Sequence, residues 1–163
     1  MLRTILGLGI TLMLAMPAQA VDFKWMNAEG EIQGLETDYK NQAVVVHVWA
    51  SWCPPCVAEM PEMAAWMLKH PEVKVVAVSL DSSLEDAQNF LNREHIAIPA
   101  RLTDQREAAK LWIRGLPTTI LLNAKGERVD THIGMQDWSD KAWNNEVLAL
   151  FQSNENTSHP SID

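Results

Sequence analysis

The chain has 163 residues, with 13 basic and 21 acidic side chains and a formal net charge of −8 at pH 7. This acidity, together with the lack of a basic patch, argues against nucleic acid as a partner. The length is typical of a single domain.

The first twenty residues have the pattern of a secretory signal peptide. Arg3 gives a positive start, segment 5–16 is apolar, and Ala18 and Ala20 form an A-x-A cleavage signal. The apolar run has about a dozen residues, fewer than the roughly 20 that a bilayer span needs. We therefore predict a signal peptide over 1–20 and a periplasmic mature protein. An uncleaved membrane anchor is the alternative.

The first half of the mature chain predicts a hairpin, a strand and a helix. Segment 23–35 has the pattern of a short β-hairpin, and 36–41 that of a turn or a single helical turn. The apolar, β-branched run 43–49 is typical of a strand buried on both faces. It leads into a helical pattern that ends at Lys69 and contains Pro61, which interrupts the helical hydrogen bonding.

The second half alternates between strand and helix patterns. It predicts, in order, a strand at 73–80, a helix at 84–93, a short edge strand at 96–102, a helix at 106–112, antiparallel strands at 118–122 and 127–133, and a helix ending at Phe151. This order is that of one α/β domain. We place the domain over 21–151 and a flexible tail over 152–163.

Both cysteines of the chain, Cys53 and Cys56, lie where the strand at 43–49 meets the following helix. Free N–H groups and the dipole of a helix N-terminus favour an anion there, which would be the nucleophilic Cys53 thiolate. Cys56 follows at i+3, one turn further, and can reach the same sulfur. A cross-link over so short a loop restrains the unfolded chain little, so the pair indicates thiol–disulfide exchange rather than a structural staple.

A metal site is the competing interpretation of the two cysteines. Zinc would need further ligands, which no second cysteine pair supplies. A soft copper site built from two thiolates and a nearby methionine remains an alternative.

Three separated features resemble thioredoxin: Trp52-Cys53-Pro54-Pro55-Cys56, the following Pro61, and Arg114-Gly115-Leu116-Pro117-Thr118 before a strand. The leading hairpin, the extra segment 84–102 and the run 56–61 are similar to the TlpA, ResA and CcmG (DsbE) branch of exported thiol–disulfide oxidoreductases. The resemblance covers about 22–151. It implies a thioredoxin fold, with a central mixed β-sheet flanked by helices, an N-terminal β-hairpin and an inserted α-β segment.

The resemblance also implies a role for individual residues. Cys53 would be the attacking thiolate and Cys56 the resolving thiol. Pro117 would be a cis-proline facing the cysteines, and Leu116 would offer its backbone to an extended substrate segment. With the apolar ring of Trp52 beside the sulfurs, the predicted substrate-binding residues are Trp52, Leu116, Pro117 and Thr118.

Two further residues are candidates for proton transfer. Glu59 lies three residues after Cys56 on the same side of the helix, where a partly buried carboxylate would take or return the Cys56 proton. His47 stands where thioredoxin has a buried aspartate, in phase with the core strand. Its neutral ring would accept the Cys56 proton, or its charged ring would stabilise a thiolate. The alternatives are a solvated surface glutamate and a buried histidine paired with the backbone.

We therefore expect a periplasmic protein-disulfide reductant with no bound cofactor, whose Cys53–Cys56 disulfide carries the two electrons. The resemblance implies protein disulfide substrates, such as the haem-binding cysteines of apocytochrome c, and a membrane thiol–disulfide electron donor. We expect a monomer. A disulfide-donating oxidant or isomerase and a copper-binding dithiol module are the alternatives.

Overall fold

The computed structural model describes residues 21–158, with side chains described as far as residue 152. The predicted signal peptide over 1–20 lies outside the described residues. The described chain opens with strand β1 (Lys24–Met26) paired antiparallel to β2 (Ile32–Gly34), and α1 (Leu35–Asp38) follows as a single turn. The predicted hairpin and turn are confirmed.

A four-stranded sheet forms the centre of the domain. Its strands are β3 (Val44–Trp49), β4 (Val75–Ser79), β5 (Thr118–Leu122) and β6 (Arg128–Ile133), in the order β4-β3-β5-β6. β3 runs parallel to β4 and antiparallel to β5, and β6 is antiparallel to β5. Every residue of β3 is buried, as its continuous apolar run predicted.

The predicted edge strand at 96–102 is wrong. Among the described residues of that segment, Leu102 alone makes β bridges, antiparallel to Met26 and parallel to Ser79. The Met26 N–H donates to the Leu102 carbonyl at 2.8 Å, and the Leu102 N–H donates back at 2.9 Å. Pro99 has no N–H with which to continue a ladder. Leu102 thus joins the N-terminal hairpin to the edge of the central sheet.

Helices cover both faces of the sheet. These are α2 (Pro54–Lys69), α3 (Leu84–Arg93), α4 (Gln105–Lys110) and α5 (Lys141–Ser158). Side chains of α2, α3 and α5 share one core cluster, whereas the hairpin, α1 and Leu111, directly after α4, contribute to the other. No helix within residues 21–158 is long and apolar enough to cross a bilayer.

The alternation of side chains along β3 defines two faces that differ in chemistry. We call the face carrying Val44, Val46 and Val48 the apolar face, because all three valines lie in the core cluster that also contains residues of the hairpin and α1. The opposite one, carrying Val45, His47 and Trp49, is the site face, against which α2 packs.

The last helix extends beyond its predicted end. α5 continues past Phe151 to Ser158, so the first part of the predicted flexible tail is helical. Segment 152–158 is polar, but it contains no glycine and no proline to interrupt the i→i−4 hydrogen bonds. Residues 159–163 lie outside the described part of the chain.

Candidate active site

A disulfide between Cys53 and Cys56 lies at the N-terminus of α2, with 5.3 Å between the two Cα atoms. Cys53 is the N-cap residue, and its Sγ accepts a hydrogen bond from the Cys56 N–H at 3.4 Å. Pro54 and Pro55 precede Cys56 in the helix and have no N–H to donate. Cys53 retains 5% of its surface and Cys56 none. Cys53 therefore presents the sulfur that a substrate can reach.

Asp81 fixes the loop that carries the disulfide. Its carboxylate accepts hydrogen bonds from the Ser51 N–H at 3.0 Å, the Ser51 hydroxyl at 2.8 Å and the Ser79 hydroxyl at 2.6 Å. Because β3 and β4 are parallel, the residues after both strands meet at one sheet edge. Sequence reasoning did not single out Ser51 or Asp81. The sequence signal that could have identified Asp81 is an acidic residue shortly after a buried strand.

The loop before β5 contains the expected cis peptide bond, between Leu116 and Pro117. Leu116 packs against the core cluster that includes both cysteines. Within the described residues, its backbone N–H and carbonyl have no hydrogen-bond partner. By contrast, the Pro117 carbonyl accepts from the Gly134 N–H at 2.8 Å. The open backbone of Leu116 is available to another chain.

The two remaining predicted substrate-binding residues differ in exposure. Trp52, directly before Cys53, is 64% exposed. Thr118 is 1% exposed, and its hydroxyl donates to the Gly115 carbonyl at 2.7 Å. Thr118 therefore shapes the loop from inside, while Trp52 presents a broad apolar ring to solvent.

A buried polar cluster lies between α2 and the site face. Glu59, one turn after Cys56, is 1% exposed and His47 is 0% exposed. The distance from His47 Nε2 to Glu59 Oε1 is 3.3 Å, and that from His47 Nδ1 to Thr119 Oγ1 is 3.1 Å. The alternatives of a solvated Glu59 and of a His47 paired with the backbone are wrong.

Two donors from the loop after β6 complete the surroundings of Glu59. The Gln136 N–H donates to Oε2 at 2.9 Å, and the Trp138 indole N–H donates to Oε1 at 3.4 Å. The Trp138 ring also packs edge-on against His47, with ring centroids 5.8 Å apart. Sequence reasoning missed Thr119, Gln136 and Trp138. Thr119 was accessible in principle, since it lies directly opposite His47 in the β3–β5 pairing.

Burial decides the charge of both groups in the pair. It raises the pKa of Glu59 to about 7, although the hydrogen bonds from Gln136 and Trp138 act in the opposite direction. Burial lowers the pKa of His47 to about 3. His47 is therefore neutral at pH 7, which disfavours the charged ring as a thiolate stabiliser. Glu59 titrates near neutral pH, where a group that accepts and returns protons is most effective.

Sequence comparison identifies a family and related oxidoreductases. The pattern of the AhpC/TSA family matches residues 16–130. Sporulation thiol-disulfide oxidoreductase A of Bacillus subtilis (strain 168) is 35% identical over 137 residues, which cover 77% of this chain and 82% of that protein. Thiol-disulfide oxidoreductase ResA of Halalkalibacterium halodurans is 34% identical over 119 residues, covering 71% and 67% respectively.

Solved structures share the fold. StoA from Bacillus subtilis is 32% identical and superposes with a TM-score of 0.60. The superposition covers 78% of this chain and 100% of StoA. A candidate thiol:disulfide interchange protein DsbE from Chlorobium tepidum is 28% identical with a TM-score of 0.70, covering 82% and 95%. The predicted thioredoxin-type fold is confirmed.

Proposed function

This chain belongs to the AhpC/TSA family and is a thiol–disulfide oxidoreductase, and from that premise we propose that it works as an exported protein-disulfide reductant. The observation that carries the proposal is the Cys53–Cys56 disulfide at the N-terminus of α2, with only the Cys53 sulfur reachable.

The cycle begins with the reduced enzyme. The Cys53 thiolate attacks a substrate disulfide, forms a mixed disulfide and releases the first substrate thiolate. Glu59 takes the proton of the Cys56 thiol. The Cys56 thiolate then attacks the Cys53 sulfur, which closes the enzyme disulfide and releases the second substrate thiolate. Two electrons pass to the substrate, and the proton remains on Glu59.

The substrate segment binds next to the disulfide. Its extended backbone pairs with the open N–H and carbonyl of Leu116, as in strand addition. Trp52 covers the apolar part of the segment, while Pro117 and Thr118 hold the loop in shape. This arrangement selects an exposed, extended segment that carries a disulfide, as an unfolded chain provides. Apocytochrome c, with its two haem-binding cysteines, is such a substrate.

The cellular setting follows from the N-terminal pattern. Cleavage after Ala20 delivers a monomer to the periplasm, where a membrane thiol–disulfide donor returns the enzyme to its dithiol form. Mass spectrometry of protein recovered from the periplasm tests this: a chain that begins at Val21 supports it, and a retained N-terminus replaces it with a membrane anchor.

The direction of electron flow is tested by the equilibrium reduction potential of the Cys53–Cys56 pair, titrated against glutathione or thioredoxin. A reductant is expected near the value of thioredoxin, about −270 mV. A potential near that of DsbA, about −120 mV, would make the protein a disulfide donor instead.

The order of attack is tested by two single variants. Cys56→Ser should accumulate a mixed disulfide between Cys53 and a substrate protein, because nothing resolves it. Cys53→Ser should form none under the same conditions. Equal trapping by both variants would contradict the assigned roles.

Metal analysis of the reduced protein tests the copper-binding alternative. Retained copper would support that alternative, and absent copper would argue against it.

A further inference from the structure

The buried pair His47 and Glu59 contains an atom whose bonding the proposed cycle does not explain. His47 Nε2 lies 3.3 Å from Glu59 Oε1, yet among the described residues it has no hydrogen-bond partner. Both side chains are 0% exposed. A buried polar nitrogen left unpaired carries a substantial free-energy cost, so a partner is to be expected.

A protonated Glu59 supplies that partner. A carboxylic acid has an O–H that rotates about the C–O bond, and from Oε1 it can point to a bare Nε2. The remaining lone pairs of the carboxyl group still accept from Gln136 and Trp138. No such bond exists if Nε2 carries a hydrogen, because two donors would then face each other.

The contact of the other ring nitrogen with Thr119 fits the tautomer that leaves Nε2 bare. His47 Nδ1 lies 3.1 Å from Thr119 Oγ1, directly across the β3–β5 ladder. An Nδ1–H donating to Thr119 leaves Nε2 bare, as the bond from Glu59 requires. We propose that His47 is a positioning residue for Glu59: Thr119 holds it as the neutral Nδ1–H tautomer, and its Nε2 accepts a hydrogen bond from the protonated Glu59 while the disulfide is closed.

The other charged groups near Glu59 are accounted for. His132 on β6 lowers the pKa of Glu59 and Glu62 on α2 raises it, and neither contacts the carboxyl group. Among the described residues, the neutral ring of His47 is the one basic side chain with a nitrogen within 4 Å of the Glu59 carboxyl oxygens. The proton location is thus a property of the His47–Thr119 geometry rather than of the surface charges.

For turnover, the inference rests on the proposed function. When the disulfide is reduced, Cys56 leaves as a thiolate and takes the proton from Glu59, which becomes a carboxylate. When a substrate is reduced, the same proton returns to Glu59 and again bonds to Nε2. The proton moves within the site in both directions, and His47 stays neutral throughout.

The decisive experiment is nuclear magnetic resonance of the disulfide form, labelled with ¹⁵N in histidine and ¹³C in glutamate. The His47 signals are assigned by their loss in His47→Gln, and Glu59 by its loss in Glu59→Gln. We expect a protonated Nδ1, a bare Nε2 and a Glu59 carboxyl that titrates near pH 7. A protonated Nε2 in the wild-type protein would overturn the proposal.

Thr119→Val removes the acceptor of Nδ1–H and should favour the Nε2–H tautomer, whose hydrogen then faces the Glu59 carboxyl group and stabilises its carboxylate form. The proton affinity of Glu59 should fall about tenfold, the worth of roughly one hydrogen bond. Thr131→Val is the matched control, because Thr131 lies on β6 opposite Ile120, and its hydroxyl is buried without a partner in the described chain. An unchanged Glu59 titration in Thr119→Val, or an equal shift in both variants, contradicts the proposal.

These measurements need no substrate, so they separate the inference from the proposed function. An Nδ1–H ring in a protein that reduces no disulfide would reject the function alone. An Nε2–H ring in an active reductant would reject the inference alone.

Discussion

The two faces of β3 are built from alternate residues of one six-residue strand and have different functions. The apolar face presents Val44, Val46 and Val48 to a core cluster of apolar side chains. The site face places His47 between Val45 and Trp49, against a buried glutamate of α2. Burying ionisable groups opposes folding unless they are paired or neutral. One face of a strand can therefore contribute stability, while the opposite face carries proton-transfer groups whose burial lowers stability.

The largest expected effect concerns pH-dependent stability on the site face. The pKa of His47 falls from 6.5 to about 3 on folding, so the unfolded state binds more protons and stability rises with pH between these values. The pKa of Glu59 rises from 4.5 to about 7, so stability falls with pH across that window. Each slope is about 1.4 kcal/mol per pH unit, and in the wild-type protein they cancel where the windows overlap.

Single variants should reveal each slope separately. The measurement is urea unfolding at a series of pH values, with the free energy of unfolding of each variant compared with that of the wild type. In Glu59→Gln, the contribution of His47 should remain, so the free energy of unfolding should rise with pH. His47→Asn should leave the falling contribution of Glu59. Glu62→Gln, which removes an exposed charge from the same helix, should follow the wild-type curve closely. Parallel curves for all four proteins would show that the pair is not linked to folding.

On the apolar face, Val46→Ala should lower the free energy of unfolding by about 2 kcal/mol, because the removed methyl groups leave a cavity under the hairpin. The reduction potential should not change. Val129→Ala on β6, where the valine is 48% exposed, should cost less than about 0.5 kcal/mol. A shifted potential in Val46→Ala would mean that the two faces are coupled.

At the start of α2, Pro55→Ala should raise the reduction potential by about 10–30 mV. The new N–H at the second helical position adds a donor for the Cys53 thiolate, worth roughly 0.5–1.5 kcal/mol, and so stabilises the dithiol form. Pro54→Ala is the matched control, since an N-cap side chain accepts from the second and third positions and not from the first. Equal shifts in both variants would assign the effect to chain flexibility.

The smallest expected effect lies outside both faces. Trp112 follows α4 with φ at 56° and is 69% exposed. Such a left-handed conformation at a helix end favours glycine. Trp112→Gly should stabilise the fold by up to about 1 kcal/mol, whereas Trp112→Ala, which keeps a Cβ, should not. Thermal unfolding distinguishes them, and an equal gain in both would refute backbone strain as the cause.

Local patterns were sufficient for the elements that carry the cysteines. The apolar run of β3 and the helical spacing of α2 predicted both elements. The spacing from Cys56 singled out Glu59, and the resemblance to thioredoxin singled out His47. The edge strand was mispredicted because a proline is tolerated on an edge strand, so Pro99 did not argue against one at this position. The structure uses one residue there as a bridge.

The partners of the pair could not be predicted in the same way. Thr119 becomes a partner of His47 only through the register of β5 against β3. Gln136 and Trp138 belong to an irregular loop, and a backbone N–H or an indole carries no motif that points to a distant carboxyl. These contacts depend on tertiary packing, which periodicity does not encode.

The hydrogen bonds of Glu59 also bear on the order of assembly. The two cysteines are 3 residues apart, whereas Glu59 is 77 residues from Gln136 and 79 from Trp138. Short loops close with a small loss of chain entropy, and long ones close late in folding. A chain that is still folding can therefore close its disulfide before Glu59 is enclosed. Such a chain has its redox-active cysteine pair early. The hydrogen bonds of Glu59 form only when the last third of the sequence, which contains Gln136 and Trp138, has folded.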